Sequence, residues 1–194
     1  MIKQSTIWRR LDYPGFEAAR LELGSDGWSF RGTAVFHIDL KPCRLDYVIQ
    51  CDLKWHTESV TIDGWMGTEI VRHEIKVDPR GRWYFDGAER PDLDGCVDID
   101  LGFSPSTNTL PIRRLNLGIG DSSPVRAAWV PVPGFELRPL EQVYRRLGVS
   151  RYRYESSGGA FVVDLQVDQE GMVIEYPGFW EPPRAERKAA NAPI

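Results

Sequence analysis

Hydrophobic and polar residues alternate along most of the chain. From Phe30 to Leu40 the even positions carry Phe30, Gly32, Ala34, Phe36, Ile38 and Leu40, and the odd ones Arg31, Thr33, His37 and Asp39. From Tyr47 to Trp55 the odd positions carry Tyr47, Ile49, Cys51, Leu53 and Trp55. From Val97 to Phe103 they carry Val97, Ile99, Leu101 and Phe103, against Asp98, Asp100 and Gly102. A period of two means strands with one dry and one wet face, the signature of antiparallel sheet. Turn chemistry fits. Val77-Asp78-Pro79-Arg80-Gly81 and Val167-Asp168-Gln169-Glu170-Gly171 end on the glycine that a left-handed hairpin position favours, and Asp26-Gly27 and Gly158-Gly159 also read as turns. One segment breaks the period. Leu140, Val143, Tyr144 and Leu147 follow Pro139 at helical spacing and precede Gly148, which predicts one amphipathic helix.

These elements predict a mainly β fold with one main helix. So many strands need their edges closed or covered, which favours a barrel, half-barrel or roll over a flat sheet. Residues 1–180 are expected to form a single domain and residues 181–194, without apolar periodicity, a loose tail. The two Val-Asp-x-x-Gly turns lie ninety residues apart, and Tyr-Pro-Gly-Phe occurs at Tyr13–Phe16 and again at Tyr176–Phe179, which hints at two similar halves.

Composition adds constraints. The 194 residues are 42% hydrophobic, enough for a core. The net charge of −4 gives no long-range attraction to phosphate backbones, so nucleic acid is not expected as a partner. Basic residues come in pairs, among them Arg113-Arg114 and Arg145-Arg146, which read as solvated surface or as anion sites. Cys43, Cys51 and Cys96 form neither an even set nor a Cys-x-x-Cys motif, which argues against a disulfide framework or zinc knuckle. Met1 to Arg10 has no apolar run and no segment approaches a spanning helix, so a cytoplasmic location is expected.

Candidate chemistry is sparse. His73 shares its parity with Val71, Ile75 and Val77, so it is either a base on a dry face or a core or cavity histidine held by one hydrogen bond. Asp98 and Asp100 point to one side of a strand, as an acid/base or cation-binding pair or as two carboxylates on a wet face. No nucleophile elbow, Walker loop, dinucleotide fingerprint or zinc spacing is present, and no cofactor is expected. The surplus of large rings is the best clue. Trp55, Trp65, Trp83 and Trp129 fall in or beside strands, where indoles either fill a core or line a cavity for acyl chains or sugar rings.

Four segments carry a resemblance. Gly32–Phe36, Tyr47–Trp55, Asp98–Leu115 with its string Thr-Asn-Thr-Leu-Pro-Ile-Arg-Arg-Leu, and Phe161–Gly178 resemble a bacterial glycolipid-binding family, formerly a domain of unknown function. The likeness runs from about Trp8 to Trp180. It implies a spiral β-roll, one long antiparallel sheet curled around a helix, similar in shape to carriers whose half-barrels hold acyl chains. It also draws attention to Asp98, Asp100, Asn108, Arg113 and Arg114, as a polar rim for a head group or as a capped turn with an Arg–Asp pair. The expected function is then a non-enzymatic binder of an amphiphile, its apolar chain in a cavity of the sheet. The alternatives are a hydrolase-like enzyme on a small hydrophobic or sugar-bearing substrate, using His73 with Asp98 or Asp100, and a protein-interaction scaffold.

Overall fold

A computed structural model describes residues 1–183. The first eight strands are β1 (Ile2–Arg10), β2 (Gly15–Leu23), β3 (Gly27–Ile38), β4 (Lys41–Asp52), β5 (Thr57–Met66), β6 (Glu69–Val77), β7 (Trp83–Phe85) and β8 (Ala88–Glu89). After them come β9 (Asp98–Leu101), a 3-10 turn (Pro105–Asn108) and helix α1 (Thr109–Leu115). The chain continues through β10 (Ser122–Val130), β11 (Arg138–Arg146), β12 (Arg151–Ser156), β13 (Phe161–Val167), β14 (Val173–Glu175) and β15 (Trp180–Glu181). Strands β1 to β8 form an antiparallel meander, with β15 added beside β1. The second sheet runs β14-β13-β12-β11-β10-β9, and its β9–β10 pair is parallel because α1 makes the crossover between them. Among the described residues the fold is mostly β: a large antiparallel sheet and a curled half-barrel sheet around one helix.

The sheets meet along two seams. Thr57 closes one, its N–H donating to the Val97 carbonyl (3.2 Å) and its hydroxyl accepting from the Ile99 N–H (3.0 Å). At the other, the Trp8 indole donates to the Val173 carbonyl (2.7 Å) and the Leu11 N–H to the Phe179 carbonyl (2.8 Å). Glu181, placed in the tail by sequence, pairs with Arg9 in β15, and the rest of that tail beyond residue 183 lies outside the described residues.

The alternation read from sequence sets the faces. Phe30, Ala34, Phe36 and Ile38 point inward from β3, and Tyr47, Ile49 and Cys51 from β4. Gly32 stands opposite Tyr47, and a Cβ there would lie 2.4 Å from the phenol ring, so only glycine lets the ring cross the neighbouring strand. Gly32→Ala is therefore expected to cost about 1–3 kcal/mol through overpacking, read as a lower urea midpoint. Both Val-Asp-x-x-Gly segments fold into one turn. Asp78 and Asp168 each accept backbone N–H groups two and four residues on, and Gly81 and Gly171 take φ of +80° and +78°.

The helix falls elsewhere than its predicted place. Residues 139–148 are not helical; most of them form β11, from which Gln142 and Tyr144 point inward while Val143 is exposed. A buried glutamine hides the period of two and leaves an accidental helical spacing of apolar residues. The helix present is Thr109–Leu115, where Pro111 is tolerated in the first turn and Asn116 ends it in a left-handed conformation at φ 43°. Seven residues show too little periodicity to be read from sequence.

Candidate functional site

Helix α1 lies against the inner face of the second sheet and leaves an opening beyond each of its ends. Asn108 borders the opening at its N-terminus, and Ile112, Arg113 and Asn116 the one at its C-terminus.

The N-terminal opening is a cleft of about 360 Å³. Parallel pairing sets Asp100 beside Trp129, so both side chains point into it. Between β9 and β11 stands Ala127, which leaves room for the Gln142 amide to reach the Asp100 carboxylate (2.6 Å). The Asn108 carboxamide donates to the Pro105 carbonyl (3.3 Å) and accepts from the Tyr144 hydroxyl (2.8 Å). Across the cleft, Tyr154, Phe161, Tyr176, Phe179 and Trp180 form an edge-to-face cluster, with centroids 6.0 Å apart for Tyr154–Phe161 and 5.3 Å for Tyr176–Phe179.

Two buried donors border this cleft unpaired. Arg10 is 7% exposed and bound bidentately by Asp12 (2.7 and 2.9 Å), its guanidinium over the rings of Tyr13, Phe36 and Trp180. Among the described residues its Nη1 makes no hydrogen bond, and neither does the Trp180 indole Nε1. Behind the wall, Glu17 accepts from the hydroxyls of Tyr47 (2.6 Å) and Ser104 (2.5 Å), and Ser104 itself borders the cleft. The other Glu17 oxygen is buried and has no hydrogen-bond partner among the described residues. Burial raises the Glu17 carboxyl from 4.5 to about 7, against the hydroxyls and nearby Arg10. Burial likewise raises Asp100 from 3.8 to about 6.

The candidates read from sequence are thus divided. Asp100, Asn108 and Trp129 meet in the cleft. Trp55 and Arg113 border the other opening, with the Arg113 guanidinium 5.4 Å from the indole. Trp55 stacks on Trp28 at 4.3 Å and takes φ +72°, which costs a side chain of this kind about 1–2 kcal/mol. The turn is held by the Asp52 carboxylate, which accepts the N–H groups of Lys54 and His56 (2.8 Å each). Asp98 and Arg114 form a forked ion pair (3.0 and 2.5 Å), with Asp98 only 1% exposed. Burial raises the Asp98 carboxyl, with Arg114 opposing it.

Three candidates lie elsewhere. Trp83 is core, its indole donating to the Cys96 carbonyl (3.0 Å). Trp65 points to solvent, because β5 turns Val60, Ile62 and Met66 inward and leaves Trp65 on the opposite face. His73 is half-buried against Phe85 (4.9 Å) and bonds to the Asp86 carboxylate (2.8 Å). Asp98 and Asp100 take Arg114 and Gln142 instead, so these contacts do not assemble a triad. Local spacing does not point to Arg10, Asp12 or the ring cluster, but the repeated Tyr-Pro-Gly-Phe segments carry a signal for them: Tyr13, Tyr176 and Phe179 all border the cleft.

Among the described residues, then, a curled sheet closes around a helix and leaves a cleft lined by aromatic rings and hydrogen-bonding groups. The chain belongs to the family described as "Putative glycolipid-binding", whose model matches residues 5–182. A DUF1089 family protein of Pseudomonas aeruginosa, known from its crystal structure, is 35% identical with a TM-score of 0.78, over 93% of this chain and 94% of that one. No curated protein matches the chain. No helix among the described residues is long and apolar enough to cross a membrane.

Proposed function

We propose that the protein binds an uncharged sugar head group of a glycolipid or similar amphiphile in the cleft beside Asp100 and Trp129. The observation that carries this is the pair of buried donors without a partner among the described residues, Arg10 Nη1 and Trp180 Nε1, at a cleft lined by aromatic rings. Native structures rarely leave such groups unsatisfied, so a ligand bearing oxygen acceptors completes them. Sugars offer both halves of the match: apolar ring faces for the aromatic walls, and hydroxyls for Arg10, Trp180, Asn108 and Asp100. Charge favours an uncharged ring. Asp12 already neutralises Arg10, and Asp100 supplies the other charge, so an anionic head group gains no net attraction.

The acyl chain is placed differently from the sequence expectation. Trp8, Trp83, Tyr47, Tyr144, Phe30 and Phe103 fill the interior of the roll with essentially no exposure. The cleft is at the small end of ligand pockets, about 300–1,000 Å³. Its binding energy therefore comes from the head group, and the chain stays outside.

Calorimetric titration with n-octyl β-glucoside below its micelle concentration, beside octanoate, tests this. The glucoside is expected to bind and octanoate not. Trp129→Ala is expected to weaken glucoside binding about tenfold, the worth of about 1.4 kcal/mol of lost ring contact. Octanoate binding as tightly as the glucoside, or a Trp129→Ala protein binding like wild type, refutes the head-group reading.

A further inference from the structure

The opening at the C-terminal end of α1 holds about 490 Å³ and has a different character from the cleft. Two arginines meet there without a carboxylate partner among the described residues. Arg113 makes no hydrogen bond or ion pair among the described residues and rests over Trp55. Arg146 spends its N–H groups on the carbonyls of Gly148 (3.1 Å), Leu117 (2.8 Å) and Val149 (3.1 Å), which hold the group but leave its charge uncompensated. Its guanidinium lies over the ring of Tyr152, which is 4% exposed and whose hydroxyl has no hydrogen-bond partner among the described residues. The acid bordering this opening, Asp168, already accepts the Glu170 and Met172 N–H groups and the Gln4 amide. In a protein of net charge −4, the opening is a local excess of positive charge with free donors.

That excess is built into the fold. Each of two basic pairs in the sequence is split by its element: Arg114 turns in to Asp98 while Arg113 turns to the opening, and Arg146 turns to the opening while Arg145 stays exposed. Trp55 holds a left-handed backbone that places its ring between Trp28 and Arg113. Strain of this kind is kept where the surroundings fix it, and it clusters at ligand sites.

We infer that this second opening binds the phosphoryl group of a phosphomonoester, gripped by the free Arg113 fork and the Tyr152 hydroxyl within the field of Arg146. A guanidinium without a carboxylate offers paired N–H groups that match two oxygens of such an anion. The site is independent of the sugar cleft, which lies at the other end of the helix and has no free positive charge.

The test follows the Trp55 indole and Arg113 Nε–H signals of isotope-labelled protein by NMR. Inorganic phosphate and methyl phosphate are titrated at constant ionic strength. Parallel co-sedimentation uses phosphatidylcholine vesicles with and without phosphatidic acid. Saturable shifts of both signals are expected in the wild type; followed through the Trp55 indole, the affinity falls at least tenfold in Arg113→Gln and is unchanged in Arg145→Gln. Selective pelleting with phosphatidic acid identifies a lipid phosphate as the source; shifts with the soluble esters alone identify a soluble one. Arg113→Gln removes no hydrogen bond and only one ring contact, so the variant should stay folded and bind n-octyl β-glucoside like wild type, which separates this site from the cleft. Absence of saturable response to all probes, or equal binding by Arg113→Gln, overturns the inference.

Discussion

Glu17→Gln is expected to stabilise the protein at pH 8 by about 3 kcal/mol and to change its stability at pH 5 by less than about 1 kcal/mol. Glu17 is 2% exposed, and its carboxyl keeps its proton up to about 7 in the fold but ionises near 4.5 when unfolded. Between those values the folded state binds more protons, so the stability that Glu17 contributes is complete below 4.5 and lost as pH rises through 7. Above that, the fold carries a buried carboxylate with one oxygen unpaired. Glutamine keeps a carbonyl oxygen to accept from Tyr47 and Ser104 and has no charge to bury. Asp100 loses stability in the same direction, over 3.8 to about 6, but both proteins share it and the difference isolates Glu17. Urea midpoints of the two proteins at pH 5 and pH 8 check the result. An equal gap at both values would show that Glu17 ionises as freely in the fold as out of it.

The same buried acid shows what a sequence can and cannot reveal. Strand faces were legible because the period of two survives in β3 and β4, where each inward position is apolar or glycine. It fails where the interior is polar. Gln142 and Glu17 both point inward, and each looks, in sequence, like a wet-face residue. Asp98 belongs to the same group: it alternates with Ile99 and Leu101 as an exposed carboxylate would, yet α1 covers it. The cleft was half legible. Asp100 and Trp129 each stand out in the sequence, but their adjacency comes from a parallel pairing that needs the crossover helix, and helical spacing in the sequence points about thirty residues downstream of it. Arg10 and Trp180 come together only because the last strand returns to the first, a closure of the roll that local spacing does not encode.

Arg114→Met is expected to cost about 3–5 kcal/mol, the largest loss among these substitutions. The fork joins the last turn of α1 to β9, and Asp98 at 1% exposure has no water to replace it. Without Arg114 the carboxylate is buried uncompensated. Its carboxyl, already raised by burial, then rises further, because the main opposing influence is gone. The loss should accordingly shrink as pH falls and the proton is taken up in the fold. Replacing both partners, as Asp98→Leu with Arg114→Met, removes the charge together with its need for a partner, and recovery to within about 2 kcal/mol of wild type is expected. Urea midpoints at pH 5 and pH 8 distinguish these outcomes, and an Arg114→Met protein within 1 kcal/mol of wild type at pH 8 would mean that the pair does not hold the helix. The helix seat matters beyond stability, because the cleft and the second opening are bounded by its two ends. A double variant that folds but binds neither glucoside nor phosphate would show that the ion pair sets the position of α1, whereas one that binds both would show that the packing of Leu110 and Ile112 suffices.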